Sequence, residues 1–147
     1  MIAGCAGGST QTSARQAGRT PLARDWEHSD DLNAVSMRAI AGRLRAANVR
    51  PTGTSFEGFL TTGARATHRV ELPASTCITL LAIGSSGVHD MDAALYSAEG
   101  ELLATDAQSD PYPAIHLCSG NKALTLYYAL QVYDGTGSYL VVAFNGT

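Results

Sequence analysis

Two hydrophobic periods run along the chain, and one gives way to the other near residue 55. From there on, apolar residues recur at every second position. In Leu124-Thr-Leu-Tyr-Tyr-Ala-Leu-Gln-Val132 the even-numbered residues are apolar throughout, and Leu140, Val142 and Phe144 repeat the alternation. A period of two is the mark of a strand with one buried face. It predicts strands over 56–61, 67–72, 77–83, 93–97, 102–105, 114–118, 124–132 and 138–144. Turn residues separate them: Thr62-Gly63, Gly84-Ser85-Ser86-Gly87, Glu99-Gly100, Ser119-Gly120-Asn121 and Asp134-Gly135-Thr136-Gly137. Short strands at this spacing predict an antiparallel sandwich or barrel. The run 77–83 is apolar on both faces after Thr79, which predicts a central strand with the helix on its outer side.

Before residue 55 the period is helical. Residues 26–50 predict one α-helix, with Ser29 as N-cap and Asp30 and Asp31 in a first turn that favours acids. Leu32, Val35, Ile40, Leu44 and Ala47 form one apolar stripe. Asn48 is placed to cap the end, and Pro51 forbids continuation. A short stripe interrupted by Gly42 predicts packing on the β-domain rather than on a membrane surface. Trp26 is expected to anchor the helix to that domain.

The first residues, Met1-Ile-Ala-Gly-Cys5, have a different character. Ile2-Ala3-Gly4-Cys5 resembles a bacterial lipobox, in which small residues admit the peptidase and the cysteine carries the lipid. The charged and apolar stretches that precede such a tetrad in a full signal are not in this sequence. Residues 6–24 are polar and small with no apolar period, as in a flexible tether. The organisation expected is therefore a lipobox and tether over 1–25, a helix over 26–50 and a β-sandwich over 51–147.

There are three cysteines. If Cys5 is lipidated, Cys77 and Cys118 remain as a pair, both in strand-like runs. A bridge between them would close a loop of roughly 41 residues, worth on the order of 4 kcal/mol of chain entropy. It would also imply an oxidising compartment. The alternative is two buried free thiols in a reducing one. With export, a diacylglycerol at Cys5 would supply the only attachment to a membrane.

Several stretches resemble the bacterial pre-peptidase C-terminal domain. They are Glu57-Gly58-Phe59-Leu60 with Gly63, Arg69-Val70-Glu71-Leu72, Asp90-Met91-Asp92-Ala93-Ala94-Leu95-Tyr96 with Glu99-Gly100, and Gly137-Ser138-Tyr139-Leu140-Val141-Val142. The resemblance covers residues 56–144. It implies a mainly β fold, a jelly-roll-like antiparallel β-sandwich of about eight strands, here with one N-terminal helix packed on it. Domains of that family accompany secreted proteases and other exported enzymes, and related sandwiches bind extracellular polymers, some with calcium. Two departures speak against a role in protease processing. A helix stands where an enzyme would precede the module, and residue 93 is Ala where the family usually has Leu.

Composition adds little to the class but something to the chemistry. The chain has 147 residues, 45% of them hydrophobic and 16% charged, with a net charge of −3. That size suits one domain with a real core. The charge gives no reason to expect nucleic acid as a partner. All nine arginines precede residue 70, while seven of the thirteen acids follow residue 89. The acidic C-terminal half suits cations. No run of 18 apolar residues exists to span a membrane as a helix.

No Gly-x-Ser-x-Gly elbow and no His-Glu-x-x-His helix is present, so an enzyme is not expected and no catalytic residue is assigned. His89 beside Asp90 is the only suggestive histidine pair. Asp90, Asp92, Asp106 and Asp110 lie on adjacent loops and strand ends, where carboxylates converge on calcium in some sandwiches. The same residues serve equally to bond loop backbone. No cofactor other than calcium is expected. Tyr127, Tyr133 and Tyr139 are expected on one sheet face, where tyrosines dock proteins or stack on sugars. The expected role is a non-catalytic exported or lipid-anchored module of the bacterial cell envelope, binding a protein or polysaccharide there. The alternative is a calcium-organised accessory domain assisting a secreted enzyme.

Overall fold

The computed structural model describes residues 25–146. Cys5 and nearly all of the tether lie outside that range. The alternation of apolar residues is realised as eight strands: β1 (Arg50–Leu60), β2 (Arg65–Leu72), β3 (Cys77–Gly84), β4 (Val88–Ser97), β5 (Leu102–Asp106), β6 (Ala114–Cys118), β7 (Leu124–Gly135) and β8 (Gly137–Asn145). They form two four-stranded sheets of order β1-β8-β3-β6 and β2-β7-β4-β5. All pairings are antiparallel. The fold is a β-sandwich with one helix, α1 (Leu32–Ala46), packed on it.

Two apolar clusters hold the layers together. Between the sheets lie Val70, Leu80, Met91, Leu95, Leu126, Tyr128, Leu130, Val132 and Val141, among others. On the outer face of the first sheet, Leu81, Ile83, Leu140, Val142 and Phe144 meet Trp26, Ala34, Met37 and Ala41. β3 and β8 are thus covered on both sides. That is why β8 reads Leu-Val-Val-Ala-Phe rather than as a strict alternation.

The helix departs from its expected start and orientation. It begins at Leu32, and the N-cap is Asp31, not Ser29. Asp31 Oδ1 accepts from Asn33 N–H (2.8 Å) and Ala34 N–H (3.4 Å). Residues 26–31 instead form a turn held by Arg38, whose guanidinium donates to the carbonyls of Trp26 and Ser29. The buried stripe is Asn33, Ala34, Met37 and Ala41. Of the expected stripe, Ile40 and Leu44 pack half-buried beside these residues, whereas Ala47 is exposed, Leu32 is 75% exposed and Val35 45%. Met37 is the one large side chain in the buried stripe, and Trp26 joins it against the sheet.

The C-terminal end is as the sequence implies. Asn48 adopts φ 62°, with its N–H on Arg45 O, and Val49 N–H reaches back to Leu44 O. This is a Schellman closure with Asn in the left-handed position.

Four strands start earlier than expected, β2 and β8 by only one or two residues but β1 and β4 by five or six. β1 takes in Pro51 and Gly53, which read as breakers. It is an edge strand with a register shift between Pro51 and Ser55, where a missing N–H is tolerated. β4 begins at Val88 because register shifts around Asp90 break the period of two and hide the strand.

Candidate functional site

A concavity with both apolar and charged walls lies where the turn before α1 meets β1 and β8. It is a cleft of about 350 Å³, with Trp26, Asp31 and Asn33 on one wall, Glu57 and Phe59 on the other, and Leu140 between them. Each wall follows from local structure. Asn33 is buried and donates to Ser138 Oγ (3.1 Å), which fixes the helix N-terminus against β8. Glu57 and Phe59 are successive outward residues of β1, opposite Leu140 and Ser138.

Between Glu57 and Phe59, Gly58 faces the core, where only a residue without a side chain leaves room for Tyr139. A Cβ there would stand 2.6 Å from the Tyr139 hydroxyl and 2.8 Å from its ring. Burial pushes the Glu57 carboxyl up, and the charge of Asp31 adds to the push. Phe59, at 65% exposed, is a large apolar side chain standing at the rim. The cleft therefore offers two carboxylates between aromatic walls, an arrangement suited to a cationic group on an apolar stem.

The expected cysteine pair is bonded. Cys77 and Cys118 face each other across β3 and β6 and form a disulfide.

The four aspartates are only partly brought together. Asp106 Oδ2 accepts from Ala114 N–H (2.9 Å) and its Oδ1 from Gln108 N–H, while Asp110 Oδ1 accepts from Tyr112 N–H (2.8 Å). These two have loop-closing roles. Asp92 lies near both Asp90 and Asp106. Burial first, and then those like charges, hold its carboxyl above the usual range. Asp90 has one buried carboxylate oxygen with no hydrogen-bond partner. Among the described residues, no three of these carboxylates come close enough to share one ion. His89 pairs not with Asp90 but with Asp134, at 3.4 Å on the surface.

The tyrosines do not share a face. Tyr127 and Tyr133 stand exposed on the outer side of β7. Tyr139 belongs to the other sheet and points into the core, 4% exposed, with its hydroxyl 2.7 Å from His68 Nε2. The reason is parity. The helix covers the even residues of β8, so the odd ones face inward. His68 in turn stacks on Phe56 at 4.4 Å, and burial lowers its pKa.

Phe59, Glu57 and Asn33 were not anticipated as site residues. The signal for Phe59 was an aromatic residue on an edge strand beside a Gly. The residues that meet at the cleft come from three segments distant in sequence.

No protein-family model matches the chain, and no curated protein matches it. Among solved structures, it is similar to the pre-peptidase C-terminal domain of a collagenase from Bacillus anthracis. The identity is 16% over 61% of this chain and 87% of that one, with a TM-score of 0.50. It is also similar to Aeromonas hydrophila PliG, a periplasmic lysozyme inhibitor of g-type lysozyme. There the identity is 10%, over 63% of this chain and 85% of that one, with a TM-score of 0.47. The first likeness shows a shared fold, a sandwich of the pre-peptidase C-terminal type.

Proposed function

We propose that this sandwich is a non-catalytic binding module of the bacterial cell envelope, exported and lipid-anchored at Cys5 through the tether over residues 1–25. The single observation that carries the reading is the cleft: Phe59 and Trp26 flank the carboxylates of Asp31 and Glu57 in an open groove. Such a groove suits a basic side chain on a partner protein, or an amino-bearing polysaccharide. The Cys77–Cys118 disulfide supports an oxidising location. The fold shared with the pre-peptidase C-terminal domain of a collagenase supports a role outside the cytoplasm.

A second reading is a calcium-organised accessory domain that assists a secreted enzyme. It is favoured by one observation, the unpartnered buried oxygen of Asp90 beside Asp92. Asp90 and Asp92 would hold the ion.

Trp26 is the only tryptophan in the chain and lines the cleft, so its fluorescence reports occupancy directly. The test is a titration with soluble peptidoglycan fragments and, separately, with lysine- and arginine-bearing peptides. A saturable change that Phe59→Ser and Glu57→Gln each weaken supports the cleft. No change with either ligand, or binding indifferent to both substitutions, overturns it.

A further inference from the structure

The helix does not cover the whole outer face of the first sheet. Leu81 and Ile83 of β3 lie under it, but Cys77 and Thr79 at the start of the strand do not. Their cross-strand partners on β6 are Cys118 and His116. All four side chains share one face, because Ile78, Leu80 and Ile115 between them point into the core.

Within this corner, His116 Nε2 is 3.5 Å from Cys118 Sγ, and His116 Nδ1 is 3.0 Å from Thr79 Oγ1. The ligand atoms of Cys77, His116 and Cys118 all lie within 4.8 Å of one another, the sole such group among the described residues. Tetrahedral zinc, with Zn–N about 2.0 Å and Zn–S about 2.3 Å, requires an N···S separation of about 3.5 Å. The structure already has that separation. Thr79 supplies the outer hydrogen bond that orients a ligating imidazole. With Nδ1–H donating to its hydroxyl, the lone pair of Nε2 faces the sulfurs.

The corner is built to keep this geometry without the sulfur–sulfur bond. Ser119 Oγ accepts from Thr76 N–H and donates to Pro73 O (2.6 Å), and Ser119 N–H donates to Thr76 O (2.8 Å). These bonds close the end of the β3–β6 ladder next to the disulfide. Gly146 forms a wall, since a Cβ there would come within 3.3 Å of both His116 Cε1 and Thr79 Oγ1.

The geometry points to a second, redox-gated state: once the Cys77–Cys118 disulfide is reduced, Cys77, Cys118 and His116 bind a thiophilic metal ion of the zinc class. The reductant is a dithiol. Its two thiols give two electrons and two protons, the protein S–S bond breaks, the reductant's own S–S bond forms, and Cys77 and Cys118 become thiols. Metal binding then moves no electrons. The two thiol protons leave to solvent, the sulfurs and His116 Nε2 take three positions, and the fourth stays open. The disulfide form is the closed state of the same site.

The test uses the full chain carrying Cys5→Ser, so that only Cys77 and Cys118 supply sulfur. The protein is reduced anaerobically with a water-soluble phosphine, which takes its oxygen from water and competes weakly for metal. It is then titrated with Co2+ and afterwards with Zn2+. The expected result is a thiolate-to-cobalt charge-transfer band saturating at one metal per chain, with the visible spectrum of a tetrahedral site, displaced by zinc and absent from the oxidised protein. His116→Ala is expected to weaken binding by more than Thr79→Val does, and Thr79→Val by about tenfold or more. No band, one metal per two chains, or a band unchanged by His116→Ala overturns the proposal. Circular dichroism covers the case in which reduction unfolds the chain. Zinc restoring the sheet signal supports the site, and failure to restore it overturns it.

Discussion

Removing one oxygen from the core is expected to stabilise the protein. Tyr128 is fully buried between the sheets, and its hydroxyl has no hydrogen-bond partner. A buried unsatisfied hydroxyl costs about 1–3 kcal/mol. Tyr128→Phe removes that cost and leaves a void on the order of 10 Å³, which at about 24 cal/mol per Å³ costs about 0.2 kcal/mol. The first effect wins by several-fold, so the net gain is about 1–2 kcal/mol, or a Tm rise of about 4–8 °C.

The control is the same substitution at Tyr139, whose hydroxyl is bonded to His68. Tyr139→Phe leaves the imidazole nitrogen unpaired and is expected to cost about 1 kcal/mol or more. Urea unfolding with an unchanged m-value measures both.

Alkaline titration gives an independent check. Burial raises both phenols, Tyr139 to about 12. The folded state then holds protons that the unfolded state releases. Their contribution is full below about pH 10 and is lost as the pH rises towards the folded value. Tyr128→Phe should flatten that decline. A Tyr128→Phe protein that is less stable by more than about 1 kcal/mol would refute the reasoning, because the hydroxyl would then have a partner, such as a buried water.

Four further outcomes are expected. Asp31→Ala should cost about 1 kcal/mol as loss of an N-cap, whereas Ser29→Ala should stay within about 0.5 kcal/mol; thermal melts of the two variants check this. Met37→Ala, at the centre of the helix–sheet contact, should cost about 2–5 kcal/mol by chemical denaturation. Because burial lowers the pKa of His68 from 6.5, the stability contributed by its neutral form is present above about pH 6.5 and lost as the pH falls; His68→Phe should flatten the acid limb of a stability–pH curve. If Asp90 and Asp92 hold calcium, excess calcium should raise the Tm by mass action, and Asp90→Ala with Asp92→Ala should abolish the rise; equal melting in calcium and chelator refutes that reading.

The strands were legible because their signal is local. Eight alternating runs became eight strands, and β6 has the anticipated limits. The helix end was legible for the same reason, since Asn48 and Pro51 act on their own backbone. The face of the helix was legible only in part, through Ile40 and Leu44, which do pack on the sheet. Its buried stripe is made of Ala, Met and Asn, and bulkier Leu32 and Val35 lie outside it. Parity within a strand says which residues share a side but not which side is the core. That is how Tyr139 came to be grouped with Tyr127 and Tyr133. The cleft depends on residues 26–33, 57–59 and 138–140 meeting in space. No window along the chain contains that meeting.

The position of β8 has a consequence for how the chain reaches this state. β8 lies between β1 and β3, pairing Glu57 with Leu140 on one side and Leu80 with Ala143 on the other. Until residues 137–145 arrive, β1 has no neighbour in its sheet and nothing joins the β1 and β3 portions of the surface that α1 rests on. Pairings this distant in sequence form late and slowly. The first sheet therefore closes only when β8 is in place, whereas β2, β7, β4 and β5 can pair without it.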